Sequence, residues 1–147
     1  MSSKEKRFNL CLGGALGLAY LACCAASCQG AEGRIPAGLI QALIQVESSG
    51  NDSAIGDGTK AVGCLQLHPS YVTDANRILG RKRWTLKDRL SRVESVEMFR
   101  VVAMHYARHY KDFSAQGMAR RHNGGPRAHK YKSTLGYWAR VKKEMSK

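Results

Sequence analysis

Apolar residues recur at three- and four-residue intervals along most of the chain after residue 34, and this spacing constrains the fold more than any other feature. One series is Ile35, Leu39, Leu43 and Val46, and another is Leu135, Trp138, Val141 and Met145. Such spacing gathers apolar side chains on one face of a helix. Residues 50–64 are rich in Gly, and Ala61 to Leu67 is the one candidate strand. The sequence therefore predicts a mainly α domain with at most a minor hairpin.

Capping and breaking residues predict where the helices begin and end. Pro36 and Pro69 suit opening turns, and Gly80 suits a helix end. Ser91 and Glu94 have the capping-box spacing, and the helix they open is expected to be central and buried. Its predicted buried face consists of Val93, Val96, Phe99, Ala103, Tyr106 and Tyr110. A further helix is predicted from Ser114 to about His122, followed by a break at Asn123–Pro126 and a last helix opened by Thr134.

The first 31 residues have the pattern of an export segment. A basic start at residues 4–7 is followed by an apolar stretch from Phe8 to about Ala26 and by small residues. This pattern is typical of a secretory signal peptide, although its length also allows a retained N-terminal membrane anchor. Cys28, after Ala-Ala-Ser, is an alternative point of lipid attachment. We therefore expect a leader at 1–31, one domain at 32–147, and an exported location in the periplasm, the cell envelope or the medium.

The cysteine count and the net charge limit how the domain after the leader can be stabilised and what it can bind. Four of the five cysteines lie in or beside the leader, so Cys64 alone cannot form an internal disulfide and is expected to be buried. Residues 1–31 carry three cations and one anion, so residues 32–147 keep +11 of the formal net charge of +13. Such a domain favours an anionic partner, namely a wall polymer, a membrane surface or a nucleic acid.

Glu47 is the candidate catalytic residue that pattern alone selects. It follows Val46 near the predicted end of the first helix, where a Gly-rich loop begins. A carboxyl at such a border is partly desolvated, and desolvation suits a carboxyl to donate a proton near neutral pH. A surface carboxylate at a helix end is the structural alternative.

Four short motifs occur in order along the chain. They are Glu-Ser-Ser-Gly-Asn at 47–51, Gly-Cys-Leu-Gln-Leu at 63–67, Asn-Gly-Gly at 123–125, and Tyr-Trp-Ala-Arg-Val at 137–141. From about Ile35 to Val141, the chain resembles the catalytic domain of the soluble lytic transglycosylases, relatives of goose-type lysozyme. Their motifs run Glu-Ser, Gly-Leu-Met-Gln, Ala-Tyr-Asn-Gly-Gly and a late Tyr. The resemblance implies a lysozyme-like fold, α+β with minimal β, whose cleft binds glycan strands of peptidoglycan.

The resemblance also implies a reaction and roles for residues. Glu47 would be the single general acid/base that cleaves the β-1,4 bond between N-acetylmuramic acid and N-acetylglucosamine and forms a 1,6-anhydro product. An obligatory second carboxylate is then unnecessary, in contrast to most glycoside hydrolases. Ser48 and Gln66 match positions that orient the acid or contact sugar, Asn123 matches a cleft residue, and Tyr137 matches the tyrosine near the catalytic Glu. His122, beside Asn123, is a further candidate for contact with substrate. No cofactor and no metal is implied, and we expect a monomer.

Departures from the family pattern keep alternatives open. His122 stands where the family has Tyr, so it could stack on a sugar or face outward. Asp52 or Asp57 could position a water, which would make the enzyme a hydrolytic muramidase. A non-catalytic wall-binding module is a third interpretation. Nucleic acid is a less favoured partner, because an exported protein meets wall polymers first. His105 and His109 have metal-ligand spacing but lack the Glu of the metalloprotease motif.

Overall fold

The computed structural model describes residues 34–147, so the leader predicted at 1–31 lies outside the described residues. This part consists mainly of helices, with one antiparallel hairpin in which Ile55 pairs with Val62. The elements are α1 Leu39–Ser48, β1 Ile55–Gly56, β2 Ala61–Val62, α2 Pro69–Leu79, α3 Arg92–Tyr110, α4 Ala115–Gly124 and α5 Leu135–Met145. Short 3-10 helices span Leu86–Leu90, Ala128–Lys130 and Lys132–Thr134. The prediction of a mainly α domain with a minor hairpin is confirmed.

Local signals place some helix ends correctly and miss others. Helix α2 begins at Pro69 and is ended by Gly80, which is left-handed at φ 75°, as predicted. Helix α1 begins at Leu39, later than the predicted opening at Ile35–Pro36, because Gly38 before it has φ 74° and interrupts helical backbone. Helix α4 continues through Asn123 and Gly124. The predicted break therefore comes only at Gly125, and Asn123 lies in the last helical turn.

Helix α3 is buried through a face rotated from the predicted one. Val93 is 68% exposed, so its assignment to the buried face was wrong. The residues that α3 buries are Ser95, Met98, Phe99, Val102, Ala103 and Ala107. The hydroxyl of Ser95 donates to the Arg89 carbonyl at 2.9 Å, which turns this side of the first turn inward and leaves Val93 in solvent. The Ser91 side chain accepts a hydrogen bond from Glu94 N–H, as in a capping box. The Glu94 carboxylate accepts from Trp84 Nε1 at 2.6 Å instead of from the Ser91 backbone N–H.

One apolar core is shared by all five helices and the segment after β2. Helix α1 packs on α5, α2 on α3, and α4 on α5. The largest fully buried side chains include Leu43, Leu65, Trp84, Phe99 and Val141. Cys64 is a free buried thiol whose pKa is raised mainly by burial, which confirms its predicted packing role. Within residues 34–147 no helix is both long enough and apolar enough to cross a membrane.

Candidate active site

The packing of α1 against α5 places Tyr137 beside Glu47. Glu47 is the penultimate residue of α1, and its side chain is 17% exposed. Tyr137 lies in the first turn of α5, and its hydroxyl donates to Glu47 Oε1 at 2.6 Å. A short bond of this kind to a carboxylate oxygen is a strong one. Two residues predicted as site residues, 90 positions apart in the chain, are therefore in direct contact.

Tyr137 acts as a fixed donor to Glu47. Burial raises the pKa of its hydroxyl above the ordinary value of 10, and the charge of Glu47 raises it further. The phenol is therefore protonated at neutral pH. Arg140 lies with its guanidinium carbon 5.5 Å from the centre of the Tyr137 ring, on the side of α5 that faces solvent.

His122 is buried beside the same carboxylate oxygen. Its side chain is 4% exposed, and Nε2 lies 3.2 Å from the Leu65 carbonyl and 3.6 Å from Glu47 Oε1. Tyr71 and Phe99 meet the ring edge-on, at centroid distances of 5.7 Å and 5.5 Å. Because both neighbours of Nε2 are acceptors, we assign the ring proton to Nε2. The outward orientation considered from the sequence is therefore wrong.

The His122 ring is neutral in the folded protein. Burial lowers its pKa from the ordinary 6.5, although the charge of Glu47 and the Leu65 carbonyl act in the opposite direction. A neutral ring places a dipole, and no full positive charge, beside Glu47.

The buried ring makes stability depend on pH in a defined direction. The unfolded chain protonates His122 below about pH 6.5, whereas the folded protein resists this protonation, so stability is present above that pH and is lost as the pH falls below it. We expect Tm to fall less steeply between pH 7 and pH 5 in His122→Gln than in the wild-type protein. Thermal melts across this range measure the slope. The exposed His109→Gln should retain the wild-type slope, and equal slopes in all three proteins would contradict the prediction.

Ser48 ties the end of α1 to the segment after the hairpin. Its hydroxyl lies 2.9 Å from the Cys64 carbonyl and 3.2 Å from the Ile44 carbonyl. Next to Cys64, Gly63 has φ 83°, and a Cβ there would overlap the carbonyl oxygen of Arg89. Only glycine therefore fits at position 63, where the loop packs against the backbone of Arg89. Ser48 thus holds the helix end that carries Glu47 against a closely packed loop.

A cleft of about 650 Å³ runs between α2, α3 and α4, and His122 lines it next to Glu47. Gln66 and Asn123 also line the cleft. The Gln66 side chain donates to the Gly63 carbonyl at 2.9 Å and to the Ala54 carbonyl at 3.2 Å, and its backbone has φ 47°. Asn123 is exposed in the last turn of α4. The cleft therefore brings Gln66, His122 and Asn123 together.

The far end of the cleft holds a polar cluster that sequence reasoning missed. Tyr106 donates its hydroxyl proton to Asp74 Oδ2 at 2.9 Å, and the Arg77 guanidinium pairs with Asp74 Oδ1. Tyr71 lines the cleft on the same helix as Asp74. The sequence could have predicted this cluster, because polar and aromatic side chains recur at helical spacing at positions 70, 71, 74 and 77.

The alternative carboxylates and the two histidines lie in other contacts. Asp52 pairs with Arg92 at 2.9 Å, and Asp57 lies 3.4 Å from His68 Nε2. His105 and His109 pack edge-on against the tyrosines that follow them in α3. Within the described range, no three His, Cys, Asp or Glu side chains are grouped as metal ligands.

The helical fold with its small hairpin encloses a cleft whose lining residue His122 lies 3.6 Å from the partly buried Glu47 carboxylate, and this arrangement defines a lysozyme-like domain. Residues 24–116 match the family described as the transglycosylase SLT domain, and the chain belongs to this family. The match includes Glu47, Ser48 and Gln66, whereas His122, Asn123 and Tyr137 follow its end. The comparison with curated proteins gives no match.

Membership of this family defines the general activity, lytic cleavage of peptidoglycan. Peptidoglycan strands are accordingly the substrate class. Because this polymer lies outside the cytoplasmic membrane, the family also implies an exported location.

Proposed function

We propose that this protein cleaves the β-1,4 bond between N-acetylmuramic acid and N-acetylglucosamine, with Glu47 as the single general acid/base. The observation that carries this proposal is the asymmetry of the Glu47 carboxyl. Tyr137 and His122 both face Oε1, while no donor in residues 34–147 is bonded to Oε2. Oε2 is therefore the oxygen that carries the catalytic proton.

The reaction needs one carboxyl acting twice. Protonated Glu47 donates its proton to the glycosidic oxygen as that oxygen leaves C1 of N-acetylmuramic acid. The resulting carboxylate then removes the proton of the 6-hydroxyl of the same sugar, and O6 bonds to C1. The 1,6-anhydro ring closes, no water is consumed, and Glu47 is protonated again for the next cycle. The acetamido group of the substrate can assist by stabilising the cationic carbon.

The neighbouring residues have supporting roles in this proposal. Tyr137 and Ser48 are positioning residues, because the first holds Oε1 and the second holds the end of α1. Gln66 and Asn123 contact sugar in this proposal, and their position in the lining of the cleft supports that role. For His122, burial favours a positioning role over the direct sugar contact expected from the sequence.

Transglycosylation is favoured over hydrolysis by the contacts of the two loop carboxylates. A hydrolase of the usual type needs a second carboxylate to activate water. Asp52 is paired with Arg92 and Asp57 contacts His68, and neither carboxylate shares a contact with Glu47.

Product analysis tests the proposal. Purified peptidoglycan is digested with residues 32–147, and the released fragments are identified by mass spectrometry with and without borohydride reduction. We expect anhydro-muramic ends that borohydride does not change. Reducing ends would instead identify a muramidase, and no release from several wall types would favour a binding module.

A further inference from the structure

The C-terminal quarter of the chain carries most of the excess positive charge. Residues 113–147 contain nine Lys and Arg but only one acidic residue, Glu144. Three of these cations lie in the stretch 127–132, here called the basic segment: Arg127, Lys130 and Lys132. All three are exposed, and within residues 34–147 none of them pairs with a carboxylate.

The basic segment is held in a defined conformation from its inner side. Arg120 donates to the Thr134 hydroxyl at 2.8 Å and to the Tyr131 carbonyl at 3.0 Å. The Thr134 hydroxyl lies 3.0 Å from the Ala128 carbonyl and 2.9 Å from the Tyr131 carbonyl. The Ala128 and Tyr131 carbonyls of the segment therefore point inward, toward Arg120 and Thr134.

Packing fixes the same segment against the end of α4. Ala128 is fully buried, and a Cβ on Gly124 would lie only 2.8 Å from the Ala128 Cβ. Arg127 is the N-cap of the 3-10 helix that ends at Lys130, so these two cations flank a single helical turn. Tyr131, between Lys130 and Lys132, is 49% exposed. The segment thus presents three cations and an aromatic ring on an ordered backbone.

The basic segment continues the wall of the cleft. Asn123, Gly125 and Pro126 line the cleft, and Arg127 is the next residue. A strand that leaves the cleft at this wall meets Arg127 first, and Lys130 and Lys132 follow within five residues of it in the chain. While the stems are attached, the lactyl carboxyl of each muramic acid is in amide linkage, so the strand carries its negative charges as carboxylates on the peptide stems.

On the basis of the function proposed above, we propose that the basic segment binds the carboxylates of peptide stems on the glycan strand held in the cleft. Arg127, Lys130 and Lys132 supply the charge, and Tyr131 supplies a surface for the apolar part of a stem. Exposed charges of this kind act mainly on association and affinity, and salt screens them. The segment therefore selects strands that still carry stems.

Steady-state cleavage of two substrates tests this selection. One substrate is peptidoglycan with its stems, and the other is glycan from which an amidase has removed the stems and whose exposed lactyl carboxylates are then converted to methylamides. The variant Arg127→Gln/Lys130→Gln/Lys132→Gln should raise KM for the stem-bearing substrate about 3- to 10-fold at low salt, with kcat within about 2-fold. This difference should disappear at high salt, and the variant should match the wild-type protein on stem-free glycan.

A matched triple variant removes the same charge elsewhere. Lys82→Gln/Lys87→Gln/Arg108→Gln also loses one Arg and two Lys from exposed positions, none of which lines the cleft. It should retain the wild-type KM on both substrates. An equal rise of KM in this control would overturn the proposal in favour of a general charge effect. An equal rise on stem-free glycan would overturn it in favour of contact with sugar or with a phosphate polymer.

Binding separates this proposal from the proposed function. If the wild-type protein cleaves neither substrate, the proposed function fails, and co-sedimentation with stem-bearing and stem-free glycan still measures selection by the basic segment. Loss of stem-dependent binding in the first triple variant alone would support the proposal. Equal binding by all three proteins would overturn it, even if cleavage is normal.

Discussion

Replacing Glu47 by Gln is expected to lower kcat for peptidoglycan cleavage by about 10³-fold, because the amide can neither donate nor accept the catalytic proton. Gln has the same shape as Glu, and its Oε1 can still accept the hydrogen bond that Tyr137 now donates at 2.6 Å. The geometry of the site is therefore retained while its proton chemistry is lost. Release of muropeptides, followed by mass spectrometry at saturating substrate, measures the change.

Two comparisons isolate the chemistry at Glu47. Glu144→Gln makes the same change in a carboxylate of α5 that pairs with Lys147 at 2.8 Å, and it should leave cleavage unchanged. Glu47→Gln should still co-sediment with peptidoglycan like the wild-type protein. A Glu47→Gln protein that folds and retains a tenth or more of the wild-type rate would show that another group supplies the proton.

Replacing Tyr137 by Phe is expected to lower kcat about 10- to 100-fold, with KM within about 2-fold. The change removes only the hydroxyl that holds Glu47 Oε1 and keeps the ring that α5 buries. Without this donor the carboxyl can rotate, so the proton on Oε2 is aligned with the glycosidic oxygen less often. Steady-state kinetics gives kcat and KM separately, and a thermal melt reports whether the fold is intact.

Coupling to Glu47 distinguishes positioning from a loss of packing. Tyr137→Phe should have no further effect on the residual rate when it is combined with Glu47→Gln, because the group it orients is then inactive. Tyr110→Phe serves as the control, since Tyr110 packs near His129 and does not line the cleft. An additive loss in the double variant, or a rise in KM alone, would contradict the positioning role.

Much of the secondary structure could be predicted because its signals are local. Pro69 and Gly80 bound α2, and the Thr85–Asp88 pair caps the following 3-10 helix, each through contacts within a few residues. The start of α1 was missed because Gly38 adopts a left-handed conformation that its residue type permits but does not require. The buried face of α3 differs from the predicted one because Ser95 turns inward and donates to the Arg89 carbonyl, whose position depends on the tertiary structure.

For the site, the sequence by itself determined the candidate acid, the helical class and the positive charge, since these depend on residue type and short-range spacing. Glu47 could be singled out because it ends an amphipathic helix beside a Gly-rich loop. Only the tertiary structure decided that Tyr137 and His122 share its Oε1 and leave Oε2 free. Those contacts join residues far apart in the chain, and they depend on how α1, α4 and α5 pack, which no local pattern encodes.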